Sequence, residues 1–145
     1  MDGVNDKIMI ALLPMTTDWS TLELPHLTLV FAGLVSDHPM SDLNAMGKDA
    51  SSLAALAQPI MLKTIKMEQM GPPDDVVSAI TLRPNTELMA MRNFVEKWNQ
   101  SEFTEYKPHC TVGPYPSVPT NFPEQIAFNK IVLCWGNTHL TFSMQ

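Results

Sequence analysis

Apolar residues occur along the chain in short runs that proline, glycine or polar residues separate. From Lys7 to Leu13 both alternate sets of positions are apolar, which predicts a strand covered on both faces. His26 to Phe31 follows Pro25 and predicts a second strand. The same pattern predicts further strands at Ile60 to Met67, at Val76 to Leu82, around His109, at Ala127 to Trp135 and at His139 to Met144.

Two longer segments have the 3.6-residue period of helices. The first runs from Ser41 to Ala57, and Ser41 or Asp42 is its expected N-cap. The second begins at Asn85 or Thr86 and extends to about Trp98. The positions expected to face the core are Leu43, Met46, Ala50, Leu53 and Ala57 in the first helix, and Leu88, Met91, Phe94, Val95 and Trp98 in the second.

Gly71-Pro72-Pro73-Asp74-Asp75 is the strongest break in the pattern. We expect it to join two lobes, residues 1–71 and 72–145, of one domain that spans 1–145. Each half has an apolar strand, a helix, a further strand and one Pro-His-x-Thr segment, although the order of the elements differs. The mixture of strands and helices predicts the α+β class.

Composition and charge narrow the possible functions. The 145 residues are 45% hydrophobic, which is enough for a core. No apolar run approaches the ~18 residues of a membrane span, and the N-terminus does not resemble a secretory signal, so we expect a cytoplasmic protein without a membrane partner. The formal charge is −6 and the nine Lys and Arg residues are dispersed, which disfavours long nucleic acid as a partner. A nucleotide partner should therefore be small.

The cysteines and histidines show no metal-ligand spacing. Cys110 and Cys134 are too few for a disulfide framework, so we expect free buried thiols. The four histidines are scattered, and His38 is expected in a surface loop. The sequence therefore predicts neither a metal nor a cofactor.

The chemistry-bearing pattern is His-x-Thr, which occurs at His26-Leu27-Thr28, His109-Cys110-Thr111 and His139-Leu140-Thr141. The first two follow a proline. On a strand, residues two apart share a face, so His and Thr should project together while Leu27 and Cys110 point into packing. One neutral and one protonated imidazole form an acid–base pair near neutral pH, and threonine hydroxyls donate to phosphate oxygens. The alternative is a half-buried histidine beside a strand threonine, without a catalytic role.

The segments Pro25-His-Leu-Thr-Leu-Val-Phe-Ala-Gly33 and Lys107-Pro-His-Cys-Thr-Val-Gly113 resemble those of the 2H phosphoesterases, also called the 2′-5′ RNA ligase-like superfamily. The resemblance implies a bilobal fold with pseudo-twofold symmetry, in which two antiparallel sheets flank a central cleft and the helices lie outside. It also implies that His26 and His109 face one another across a phosphate that Thr28 and Thr111 bind. Family members act on 2′,3′-cyclic phosphate ends, 2′-5′ linkages, oligouridine tails and cyclic nucleotides. The short Pro14 to Leu24 connection departs from the larger members and disfavours functions that need long substrate-gripping loops.

Four further residues are candidate substrate contacts. Lys107 could offset phosphate charge or be a solvated strand-end lysine, and Tyr115 could stack on a base. Trp135 and His139 could face the cleft or serve only the structure, and Tyr106 is equally undecided.

The sequence predicts a metal-independent phosphodiesterase that uses paired histidines on a small nucleotide. Candidate substrates are a cyclic oligonucleotide signal, a 2′-5′ oligonucleotide and a 2′,3′-cyclic phosphate. Two alternatives stay open. One is an RNA-end cyclic phosphodiesterase or 2′-5′ RNA ligase, and the other is a non-catalytic module that sequesters a nucleotide.

Overall fold

The computed structural model describes residues 5–101 and 105–145 and has the predicted α+β class. Neither helix in these ranges is long and apolar enough to cross a membrane. Two 3-10 turns, Val35–Asp37 and Glu96–Trp98, accompany the main elements. These elements are β1 (Lys7–Pro14), β2 (Leu27–Leu34), α1 (Met40–Leu56), β3 (Ile60–Met70), β4 (Val77–Leu82), α2 (Thr86–Val95), β5 (His109–Pro114), β6 (Gln125–Trp135) and β7 (Thr138–Ser143).

The helices differ from the prediction at their ends. The N-cap of α1 is Pro39, and Ser41 and Asp42 lie inside the first turn instead of capping it. The predicted cap of α2 is confirmed, because the Asn85 side chain accepts a hydrogen bond from the Leu88 amide at 2.8 Å. Helix α2 ends at Val95, and Phe94 is 39% exposed, so its assignment to the buried face was wrong.

Every strand pairing is antiparallel, and the strand order is β1-β2-β5-β4-β3-β6-β7. Strand β6 also pairs with β1 along most of its length. Six strands therefore form a closed circuit, and β7 is added on the outside of β6. The shortest pairing in this circuit is between β2 and β5, which are joined by the single register pair Leu27–Cys110.

Strand pairing groups the chain differently from a division near residue 71. Strands β3, β4 and β5 form one group, and β2, β1, β6 and β7 form the other, with all seven joined in one sheet instead of two. The break at Gly71 is a hairpin turn, because β3 and β4 pair with each other. Gly71 has φ 98°, and a Cβ there would lie 2.5 Å from the Asp75 carbonyl oxygen, so this turn requires glycine.

The two faces of the β2-β1-β6-β7 group are both apolar near β1. On one face Ile8, Ile10 and Leu12 belong to the main core, which also contains the buried residues of α1 and α2. We call the opposite side the open face; there Ala11, Val132 and Cys134 form a small separate cluster, with Met9, Leu13 and Leu24 packed against it. The prediction that β1 is covered on both faces is confirmed.

His38 lies in the loop between β2 and α1, as predicted, but its side chain is nearly buried and not at the surface. Its side chain is only 7% exposed, and its ring centroid lies 6.1 Å from that of Trp135. Nδ1 lies 2.7 Å from the Asp42 carboxylate and Nε2 lies 2.7 Å from the Ala32 carbonyl oxygen. Because both neighbours accept, the protonated ring satisfies both contacts, and the bond to Asp42 raises the pKa of His38 above its ordinary value.

The His38 contacts predict a pH dependence of stability. A raised folded-state pKa means that the native protein binds the proton more tightly than the unfolded chain does. This stabilisation is complete below about pH 6.5 and is lost as the pH rises through the folded-state pKa. In urea unfolding across pH 5 to 9, the wild type should lose this stabilisation as the pH rises. His38→Asn and Asp42→Asn should not show that loss. Parallel pH profiles for the wild type and both variants would contradict this explanation.

Candidate active site

The two Pro-His-x-Thr segments meet at the junction of β2 and β5. Their central residues, Leu27 and Cys110, are register partners in an antiparallel pair. The same register, continued by one residue, sets His26 opposite Thr111 and Thr28 opposite His109. Opposite residues in such a pair have Cβ atoms about 5 Å apart and diagonal ones about 7–8 Å. The histidines are diagonal neighbours, close enough for one phosphate to contact both.

Burial alternates along both segments as a strand requires. Leu27 and Cys110 are fully buried in the main core. His26, Thr28, His109 and Thr111 are all partly exposed. The four polar side chains therefore share one side of the sheet; the spacing predicted this within each segment, and the resemblance implied it for the two segments together.

The two imidazole rings are held by the same local contact. Nδ1 of His26 lies 2.8 Å from the Leu24 carbonyl oxygen, and Nδ1 of His109 lies 2.9 Å from the Lys107 carbonyl oxygen. Because a carbonyl oxygen only accepts, each Nδ1 carries the hydrogen and each Nε2 remains for other partners. A neutral ring then accepts a proton through Nε2, and a protonated ring donates one there.

The intervening prolines account for this repeated contact. Pro25 and Pro108 are both buried and stand between each histidine and the carbonyl that it contacts. Proline fixes its own φ and restricts the residue before it to extended conformations. The direction of the Leu24 and Lys107 carbonyls is therefore limited before the chain folds.

The environment of His26 favours its neutral form. Burial is the main cause that lowers the pKa of His26, while the bond to the Leu24 carbonyl acts in the opposite direction. The positive charges of protonated His109 and His139 lower this pKa further. At neutral pH His26 is thus suited to accept a proton.

The connection between β1 and β2 is hydrogen-bonded to β5. The Ser20 hydroxyl donates to the Thr111 carbonyl at 3.0 Å, and the Thr21 amide donates to the Val112 carbonyl at 2.8 Å. Thr28 is held on its own side, where its hydroxyl donates to the Met9 sulfur at 3.7 Å. Both threonines of the site are therefore tied to structure beyond their own strands.

Tyr106 ties the two motifs together. Its hydroxyl donates to the Thr28 carbonyl at 2.7 Å, from the segment that leads into His109. The Arg92 guanidinium lies 4.4 Å from the centroid of its ring. Burial raises the pKa of Tyr106, so the hydroxyl keeps its proton and remains a donor. Tyr106 was undecided from the sequence, and the structure gives it a positioning contact.

The ammonium group of Lys107 is in an ion pair, so it does not offer an unpaired positive charge to the site. Its Nζ lies 2.6 Å from a carboxylate oxygen of Glu68, and this contact is the main cause that lowers the pKa of Glu68. Glu68 on β3 is opposite Ala79 on β4, and Ala79 is opposite Thr111 on β5. The Glu68 carboxylate is therefore on the same side of the sheet as the Thr111 side chain. A groove of about 370 Å³ beside His109 is lined by this pair and by Lys66, Thr81 and Tyr106, among others.

The remaining predicted contacts are distributed around the sheet. Tyr115 is 52% exposed in the loop after β5. Trp135 is 7% exposed and belongs to the main core, so it points away from the side of His26 and His109 and its predicted substrate contact is not supported. His139 is exposed on β7 opposite Cys134, which sets it on the open face with Thr28. Within residues 5–101 and 105–145 no group of three or more His, Cys, Asp and Glu side chains could hold a metal ion.

The two tyrosines of the chain allow a matched test of the Tyr106 contact. Tyr106→Phe leaves the Thr28 carbonyl without its donor, so the free energy of unfolding should fall by about 1–3 kcal/mol. Tyr115→Phe, at an exposed position, should change it by less than about 0.5 kcal/mol. Urea denaturation of both variants measures the difference. Equal values for the two variants would remove Tyr106 as a tie between the motifs.

No protein-family model matches the chain, and no curated protein matches it in sequence. Solved structures do match over nearly the full length of both chains. TT0787 of Thermus thermophilus is 19% identical with a TM-score of 0.60, and covers 95% of this chain and 97% of its own. Escherichia coli LigT with phosphate is 14% identical with a TM-score of 0.57, covering 98% and 100%. Kluyveromyces marxianus Usb1 is 10% identical with a TM-score of 0.63, covering 97% and 99%.

LigT has also been crystallised with 3′-AMP and with ATP. LigT, Usb1 and TT0787 are members of the 2H phosphoesterase superfamily. At 10–19% identity the likeness concerns the fold. The fold that the two His-x-Thr segments predicted is therefore confirmed: the chain has the fold of the 2H phosphoesterases.

Proposed function

We propose that the protein is a metal-independent phosphodiesterase that cleaves a small nucleotide with His26 and His109. The observation that carries this proposal is the pair of matching ring contacts, which leave both Nε2 atoms available on one side of the sheet. A threonine stands opposite each histidine in the continued register. Two imidazoles that exchange protons and two threonine hydroxyls that donate hydrogen bonds, on one side of the sheet, suit a phosphoryl group.

In the proposed reaction His26 acts as the base and His109 as the acid. Neutral His26 takes the proton of the attacking hydroxyl or water through Nε2 while the new phosphorus–oxygen bond forms. His109 gives its Nε2 proton to the leaving oxygen as the old bond breaks. The Thr28 and Thr111 hydroxyls donate to the non-bridging oxygens, where negative charge develops. Exchange with solvent then returns each ring to its starting protonation state.

Two features support a small substrate. The chain carries a formal charge of −6, and its Pro14 to Leu24 connection is short. The LigT crystals with phosphate, 3′-AMP and ATP are examples of small ligands bound to this fold. The candidates are a cyclic oligonucleotide signal, a 2′-5′ oligonucleotide and a 2′,3′-cyclic phosphate. The proposal includes a cytoplasmic location, which the free and buried Cys110 and Cys134 support.

The experiment that tests this function is a substrate panel in EDTA with products resolved by mass. We expect at least one of cyclic dinucleotides, 2′-5′ oligoadenylates and 2′,3′-cyclic nucleotides to be cleaved. His26→Asn and His109→Asn should each lower turnover by about 10²–10⁴-fold, the usual contribution of one acid–base group.

The matched control is His38→Asn, a histidine outside this site, which should retain turnover while the protein stays folded. Turnover that EDTA abolishes and a divalent ion restores would contradict the paired-histidine mechanism. A ligand returned intact by the wild type would favour the sequestering module, and a joined product would favour the ligase.

The protonation states predict a bell-shaped pH dependence of kcat/KM. Because the pKa of His26 is lowered, the acid limb should lie below the ordinary histidine value of about 6.5. Activity should fall again at alkaline pH, where the acid loses its proton. The two rings interact, so the measured limbs belong to the pair. A rate that rises steadily to pH 9 would show that no protonated histidine is needed.

A further inference from the structure

We propose that His139 and Thr141 form a second anion subsite that binds a phosphate other than the one being cleaved. This inference deepens the proposed function and rests on it. It assigns a role to the third His-x-Thr segment, which the acid–base pair does not use. It also narrows the substrate class to nucleotides that carry at least two separate phosphates.

The register of four strands sets this segment on the open face. On β7, His139 is opposite Cys134 and Thr141 is opposite Val132. On β1, Met9 is opposite Cys134 and Ala11 is opposite Val132. Ala11 is in turn opposite Thr28 on β2. One continuous row therefore runs from Thr28 through Ala11 and Val132 to Thr141.

The two ends of this row are on strands that are not neighbours. Strands β2 and β7 are separated by three inter-strand spacings of about 4.8 Å, or roughly 14 Å along the sheet. His139 is still close enough for its charge to influence the pKa of His26. In this inference it belongs to the same site and contacts a different part of the bound molecule.

The side chains around Thr141, with His139 and Ser143 two residues away on the same strand, are donors that suit a phosphate. Lys130 and Ser143 are opposite each other and share the face of Thr141 by strand alternation. Both are exposed, and in the described part of the chain no carboxylate lies within ion-pair distance of Lys130. An imidazole, an ammonium group and two hydroxyls supply hydrogen-bond donors without a carboxylate to oppose an anion.

The distribution of charge supports an anionic ligand here. The chain has 15 acidic residues, yet β1, β2, β6 and β7 contain neither Asp nor Glu. Apart from His139, their charged side chains are Lys7 and Lys130, which are both basic. The open face is thus free of strand carboxylates in a protein that is acidic as a whole.

Between the two polar ends lies an apolar floor. Its accessible side chains are Met9, Leu13 and Leu24, which are partly buried and pack against the fully buried Ala11, Val132 and Cys134. Such a floor suits the ribose and base that connect two phosphates, because neither needs a charged partner. The matching ligand is a dinucleotide or longer oligonucleotide, linear with a terminal phosphate or cyclic.

The test uses ligands that differ only in the second phosphate. The linear pair is adenylyl-adenosine with and without a 5′-phosphate, and cyclic di-AMP is the closed form. Calorimetry gives Kd for each ligand whether or not it is cleaved, and kcat and KM are measured where it is. The wild type should bind the 5′-phosphorylated or the cyclic form at least about tenfold more tightly than unphosphorylated adenylyl-adenosine.

The variants separate this subsite from the fold and from the acid–base pair. Lys130→Met combined with His139→Asn should abolish the preference, and Thr141→Val should reduce it. Thr138→Val is the matched control, because Thr138 is on the same strand opposite Trp135 and faces the other side. It should leave the preference unchanged.

The outcomes distinguish this inference from the proposed function. Equal wild-type affinity for adenylyl-adenosine with and without the 5′-phosphate and for cyclic di-AMP, or a preference that survives in the double variant, would overturn the second subsite. A preference that the double variant loses, with no cleavage of any ligand, would retain the subsite and overturn the phosphodiesterase. Preference for the cyclic over the linear form, or the reverse, identifies which substrate shape the site accepts.

Discussion

The pairing of Leu27 with Cys110 is the contact on which the site depends. A slip of one residue in this register would exchange the faces of every side chain in one strand. It would bury a histidine and a threonine and expose an apolar partner. The full burial of Leu27 and Cys110 in the main core opposes that slip, so hydrophobic packing behind the strands sets the positions of the polar groups in front.

A single register pair is a narrow connection, and further contacts reinforce it. The Tyr106 hydroxyl reaches the Thr28 carbonyl from the His109 side. The Ser20 and Thr21 contacts reach β5 from the connection between β1 and β2. The ring contacts to Leu24 and Lys107 then fix the imidazoles relative to the backbone. Core packing thus restricts the strand register, and the register together with the ring contacts restricts the orientation of the imidazoles.

The sequence predicted those features that depend only on residues close together in the chain. Strand alternation correctly predicted that His26 shares a side with Thr28 and that His109 shares one with Thr111, because a period of two needs no knowledge of the partner strand. The repeated proline before histidine indicated a repeated local geometry. The Asn85 cap was predictable for the same reason, since its partner, Leu88, is three residues away.

Features that depend on distant residues were not predictable. The closed circuit of strands arises because β6 pairs with both β1 and β3, and no local pattern specifies that. The same applies to the Tyr106–Thr28 bond, the Lys107–Glu68 pair and the burial of His38 against Trp135. The face of Trp135 was left open because its neighbours in sequence are buried on both faces of β6, so apolar character there does not identify the face.

The central claim is that two matching Nδ1 contacts direct both Nε2 atoms at one phosphate. Two-dimensional NMR of the histidine ring nitrogens tests this claim directly, with and without inorganic phosphate. For the neutral rings of His26 and His109 we expect the tautomer that carries its hydrogen on Nδ1. Phosphate should shift both Nε2 resonances together, with one dissociation constant, and leave His38 unchanged. Hydrogen on Nε2 in either neutral ring, or a response to phosphate from only one of the two, would contradict the account.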